Sequence, residues 1–86
     1  MTAAYRFSVS IMPRDGILDP AGRAVENALP ELHADNVHGV RVGRRVELTV
    51  EADSAEGARS TVDSLAADFL ANPLIESWAI EEMPAR

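Results

Sequence analysis

From residue 4 to residue 12 apolar and polar side chains alternate. Tyr5, Phe7, Val9 and Ile11 point one way, and Arg6, Ser8 and Ser10 the other. A period of two predicts a strand with one buried face, which Pro13 ends. The stretch Arg14–Gly22 then joins this strand to a helix. Gly16 permits a tight turn. Asp19 is placed to cap the helix by accepting a free backbone N–H of the first turn. Pro20 suits the first helical position, where no N–H is needed. Over residues 20–32, Val25, Ala28, Leu29 and Leu32 recur on one helical face. Pro30 interrupts that pattern, so the regular helix is expected to end, kink or tighten near Leu29.

Residues 37–51 read as a hairpin with arms Val37–Val42 and Arg45–Glu51. A two-residue loop would set Val42 against Arg45 and Val40 against Glu47, mixing apolar and charged residues. A three-residue loop, Gly43 to Arg45, sets Val42 against Val46 and Val40 against Leu48. One face is then consistently apolar, which favours the second register. Residues 54–71 give the clearest helix, capped by Asp53 or Ser54, with Asp53 and Glu56 at capping-box spacing. Its expected buried stripe is Ala58, Val62, Leu65, Ala66 and Phe69. Asn72 is expected in the left-handed position that closes the helix, and Pro73 prevents continuation. A last strand, residues 74–81, carries Ile75, Trp78 and Ile80, and the tail Glu82–Arg86 is expected to fray. The order β-α-β-β-α-β predicts an α+β, two-layer, ferredoxin-like fold, a four-stranded antiparallel sheet with both helices on one face. The other face would show Arg6, Ser8, Ser10, Glu47, Thr49 and Glu51, polar enough to stay uncovered.

Composition narrows the function. A chain of 86 residues is expected to be a single domain, residues 1–86, with a modest core. Cysteine is absent, which removes disulfides and thiolate metal sites. Self-association is then the expected supplement to stability. No apolar run approaches membrane-spanning length, and no basic segment followed by a long apolar one opens the chain, so a cytoplasmic protein is expected. Charge is uneven: residues 1–46 hold six Arg and five acids, residues 47–86 two Arg and nine acids. A net charge of −6 disfavours nonspecific nucleic-acid binding.

Catalytic constellations are missing, and no catalytic, cofactor-binding or metal-binding residue is expected. None of the serines sits in a nucleophile elbow. His33 and His38 flank the helix–strand connection and read as surface histidines. Glu47 and Glu51 share a strand face, where solvation leaves two carboxylates with no acid–base division of labour. Arg41, Arg44 and Arg45 make a basic tip that could hold a phosphate or an acidic partner, or simply a soluble turn. RNA-recognition domains share the topology, but the open face here lacks their stacking aromatics.

Three blocks nevertheless carry a resemblance. Gly16–Leu29 (GILDPAGRAVENAL), Val40–Leu48 (VRVGRRVEL) and Leu70–Glu76 (LANPLIE) resemble the PurS family, the small subunit of phosphoribosylformylglycinamidine synthase, in the family's order and spacing. Ala21 stands where Gln is common in that family, Arg44 where Lys is common, and Pro30 interrupts the first helix. The resemblance implies a non-catalytic subunit of a glutamine-dependent, ATP-consuming ligase in purine biosynthesis. It would bridge a PurL-type synthetase and a PurQ-type glutaminase and assist ammonia transfer between them. ATP and magnesium would be used by the synthetase, with no cofactor on this chain. A homodimer or tetramer is implied, with neither nucleic acid nor membrane as partner. The candidate partner-interface residues are Arg14, Asp15, Arg41, Arg44, Arg45 and Asn72. A second resemblance, to amino-acid-binding regulatory domains of the ACT type, rests on Asp15-Gly16-Ile17-Leu18 at the turn between the first strand and first helix.

Overall fold

The first strand becomes the centre of the sheet. The computed structural model describes residues 1–84. In it β1 (Ala3–Pro13) lies between β2 (Arg44–Ala52) and β3 (Glu76–Met83), antiparallel to both. Its alternation is realised as predicted: Phe7, Val9 and Ile11 are fully buried. Across the sheet Phe7 faces Leu48, Val9 lies between Val46 and Ile80, and Ile11 faces Trp78. Helix α2 (Ala55–Leu65) covers this face with Ala58 and Val62, followed by Ala66 and Ala71. Ser54 is its cap, its Oγ accepting the Gly57 N–H at 3.0 Å. At roughly 25 cal/mol per Å2 of apolar surface removed from water, this layer is where the chain gains its stability.

Several expectations are corrected. A single π turn, Ala66–Leu70, follows α2, with the Ala71 N–H bonded to the Ala66 carbonyl. The wider turn brings Ala71 into the core and turns Phe69 out, leaving it 79% exposed; Leu65 is also exposed. Asn72 is not left-handed. Its side-chain oxygen accepts the Leu74 N–H at 3.1 Å, while His33, at φ 59°, takes the left-handed position elsewhere. Glu82 and Met83 belong to β3, opposite Phe7 and Arg6; Ala85 and Arg86 lie outside the described residues. Ser8, expected on the open face, is only 4% exposed because β1 is central and Glu47 and Glu81 flank it.

The largest correction concerns the fourth strand. Among the described residues the sheet has three strands, in a β-α-β-α-β order. Residues 37–42 do not fold back on β2. Their backbone is bonded to side chains instead: the Gly39 N–H donates to Glu26 Oε1 at 3.0 Å and the Val42 N–H to Asp19 Oδ2 at 2.9 Å. Gly43 passes so close to β1 that a Cβ there would lie 2.1 Å from the Ile11 carbonyl oxygen. The chain therefore runs on into β2 where a hairpin would have turned. Helix α1 (Pro20–Ala28) continues into a 3-10 turn, Leu29–Leu32, the tightening expected at Pro30. Among the described residues α2 and the turn after it pack on the sheet, while α1 lies against its own 3-10 turn and the 39–42 segment. Residues 15–43 thus form an arm beyond the end of β1, and the molecule measures 56 × 30 × 14 Å.

Candidate functional site

The arm is fixed to the body by a few charged side chains. Asp19 is the central one. Its Oδ1 accepts the Gly22 N–H at 3.0 Å, the predicted cap, while Oδ2 accepts the Val42 N–H. One carboxylate thus starts α1 and ties that helix to the entry of β2. Gly22 is required by this closeness: a Cβ there would lie 2.3 Å from Asp19 Oδ2 and 2.7 Å from the Val40 carbonyl. The two backbone donors, with the nearby Arg41 charge adding to them, hold the Asp19 carboxyl below its ordinary pKa.

Arg41 closes the same turn from the other side. Its guanidinium meets Asp15 Oδ1 at 2.7 Å and donates to the carbonyls of Pro13 and Arg14. Arg14 reaches the opposite edge, with its N–H on the Ile75 carbonyl at 2.8 Å and its Nε on the Pro73 carbonyl at 3.0 Å. Beside it, Arg44 and Glu76 form a bidentate pair at 2.6 and 3.1 Å. The pair raises the Arg44 pKa, and the Arg44 guanidinium, together with the Asn72 N–H, lowers that of Glu76.

Five of the six candidate residues, Arg14, Asp15, Arg41, Arg44 and Asn72, therefore gather at the end of the sheet where β1 exits. Arg45 does not join them. Neighbouring residues of a strand point to opposite faces, and Arg45 lies on the open face against Glu47 at 3.3 Å. Glu76 and Glu26 are the residues the sequence reading missed. Glu76 sits next to the Asn72-Pro73 turn that it closes, and Glu26 on the polar side of α1. Both lie inside the blocks that carry the family resemblance, but nothing in the spacing of either block singles them out.

Between the turn and α1 lies an open cleft of about 430 Å3, bordered by Asp15, Leu18, Arg23, Glu26, Val40 and Arg41. Asp15, Asp19, Glu26 and Arg41 are committed to the bonds just described, so the arrangement fixes a surface. Among the described residues no group of three or more His, Asp or Glu is placed to hold a metal ion. None of the described helices is long and apolar enough to cross a membrane.

Known proteins resemble this chain over nearly its whole length. The family model described as PurS, phosphoribosylformylglycinamidine (FGAM) synthase, matches residues 6–83. A Synechocystis protein, phosphoribosylformylglycinamidine synthase subunit PurS, is 37% identical over 94% of this chain and 81% of its own length. The crystal structure of the PurS subunit from Thermotoga maritima superimposes with a TM-score of 0.87 at 28% identity, over 96% of this chain and 95% of the other. A chain in the structure of PurLQS from the same organism gives 0.86 at 28% identity, over 94% and 99%. These matches favour the first resemblance over the amino-acid-binding one, and the chain belongs to the PurS family of FGAM synthase subunits.

Proposed function

We propose that this chain, acting as a single domain, is the non-catalytic small subunit of an FGAM synthase. It would join PurL-type synthetase and PurQ-type glutaminase subunits and assist the passage of ammonia between them. The observation that carries the reading is the near full-length likeness to a chain of the T. maritima PurLQS assembly. Ammonia released into bulk water is diluted and protonated, so two separated active sites gain from a component that keeps them together and excludes solvent. In this reading ATP and magnesium act on the synthetase subunit, the assembly is cytoplasmic, and Arg14, Asp15, Arg41, Arg44, Arg45 and Asn72 contribute to partner contacts. Reconstitution tests it. The pure chain should turn over nothing with glutamine, ATP and the formylglycinamide substrate. Adding it to the two larger subunits should restore glutamine-dependent turnover. Turnover by the chain alone, or an unchanged rate when it is left out, would refute the reading.

The same chain should self-associate. A compact domain of this length has a radius of gyration of about 12 Å, whereas this one has 16.7 Å. Leu32 is 71% exposed and Val25 45%, on the helical face that the sequence marks for burial. A homodimer, or a pair of dimers, would cover them.

A further inference from the structure

The connection from α2 to β3, residues 66–75, is closely tied down and yet strongly apolar toward water. Leu74 is 85% exposed and Phe69 79%; after Met1 they are the most exposed large apolar side chains among the described residues. We propose that Phe69 and Leu74 anchor this chain in an apolar pocket with a basic rim on a larger subunit of the assembly. This rests on the proposed function and names the surface that serves it.

Three observations converge. First, the exposure is built into the backbone. A single π turn is an unusual interruption that marks functional positions more often than chance. Here it gives the core place to Ala71 and turns Phe69 outward.

Second, the loop is fixed before any partner arrives. Arg44 donates to the Leu70 carbonyl, and Arg14 donates through Nε to Pro73 at 3.0 Å and through its N–H to Ile75 at 2.8 Å. Glu76 accepts the Asn72 N–H at 2.8 Å, and Asn72 Oδ1 accepts the Leu74 N–H at 3.1 Å. A segment already ordered loses little freedom on docking. Aromatic and aliphatic anchors held in this way dominate an interface once a pocket excludes water around them. Arg14, Arg44 and Asn72 thereby act as positioning residues for the two anchors.

Third, charge selects the partner. Residues 60–84 hold five acids and no basic residue. Of those acids only Glu76 is paired with a cation among the described residues. Asp68, exposed beside Phe69, is one of those left without a cation. A second copy is the poorer occupant, because a two-fold contact centred on this loop repeats the same patch on both sides. It would bring the acids of one copy against those of the other, which opposes binding. A pocket rimmed by Arg or Lys satisfies both the apolar anchors and the acids.

The double variant Phe69→Ala with Leu74→Ala changes only exposed side chains, so its melting temperature and its mass in solution should match wild type. Each chain is titrated into fixed amounts of the two larger subunits, and glutamine-dependent turnover is read. The concentration giving half-maximal turnover should rise roughly tenfold or more in the double variant, with the saturating rate retained. Leu74→Ala alone, outside any helix, should shift it in the same direction and serves if the double variant melts early. The wild-type value should rise with salt, and Asp68→Asn should flatten that rise. Variants that titrate like wild type would overturn this docking while leaving the subunit role standing. A fall in the mass of the double variant would place a second copy on the loop and overturn it too. A wild-type chain that restores no turnover would remove the role and the docking together.

Discussion

The body and the arm of this molecule are held together by different forces. In the body, β1 to β3 and α2 enclose Phe7, Val9, Ile11, Ala58 and Val62, each with no exposed surface. Burial of apolar area stabilises it, and the polar open face tolerates water. In the arm, residues 15–43, Gly22 is the only buried residue. Order there comes from carboxylates and a guanidinium bonded to backbone: Asp19 to Gly22 and Val42, Glu26 to Gly39, Arg41 to Pro13 and Arg14. Such bonds are individually worth about 1 kcal/mol net, somewhat more when one partner is charged. They fix a shape without supplying a core. The arm is thus shaped but uncored, and its apolar side chains Val25 and Leu32 stay exposed.

This difference predicts unequal responses to substitution. The largest should come from the body. Phe7→Ala removes the largest fully buried side chain, at the centre of the middle strand, and should cost about 3–5 kcal/mol. Urea unfolding measures it directly. A loss below about 1 kcal/mol would mean that the sheet-and-α2 layer is not the cooperative unit.

The same contrast explains what could be read from the sequence. The body was legible because period-two alternation at Tyr5–Ile11 and the spacing of Ala58, Val62 and Ala66 report burial within one chain. Phe69 escaped the reading because the π turn widens the last turn after Leu65. A pattern counted at 3.6 residues per turn then points at the wrong residue, and Ala71 takes the place. In the arm, local chemistry was legible. The Asp19 cap, the Pro20 start and the tightening at Pro30 all depend on a few neighbouring residues. The pairing of Val37–Val42 was not. Alternation tells which face of a strand would be apolar, but not that the backbone of Gly39 and Val42 is bonded to Glu26 and Asp19 and held away from β2. The second bond of Asp19, to Val42, was hidden for a related reason: 23 residues separate the partners. Of the candidate residues, Arg14, Asp15, Arg41, Arg44 and Asn72 lie together at the end of the sheet. Arg45 is one residue further along β2 than Arg44, which is enough to put it on the opposite face, beside Glu47.

A second, smaller effect should come from the arm. Asp19→Ala removes a helix cap and the tie to Val42 together, leaving two backbone N–H groups without their acceptor. A lost cap of this kind should lower the melting temperature by roughly 4–8 °C. The Phe7 variant should fall much further. The two can be compared in one series of thermal melts. Equal losses would erase the distinction between a cored body and a polar arm, and an unchanged midpoint for Asp19→Ala would show that the carboxylate does not organise the turn.

The smallest effect separates the geometry of Asp19 from its charge. Asp19→Asn keeps one side-chain oxygen for capping and removes the negative charge that faces the positive end of α1. It should therefore be milder than the Ala variant, with nearly normal turnover in the reconstituted enzyme, because the proposed function gives the carboxylate no chemical step. Acid should reveal the remaining difference. The Asp19 carboxyl ordinarily titrates near 3.8, and the Val42 and Gly22 N–H groups hold it lower in the folded chain. Since the folded value is depressed, its contribution is fully present above the unfolded value and is lost as pH falls through the folded one. Glu76, lowered from 4.5 by Arg44 and Asn72, adds to the acid lability of wild type and variant alike. The gap in melting temperature between wild type and Asp19→Asn should thus be widest above about pH 5 and should close as pH is taken below 3.8. Melts of the two proteins across that range measure it. A gap that stays constant into strong acid would show that the amide fails for reasons of shape, and that the charge of Asp19 contributes nothing to holding the arm.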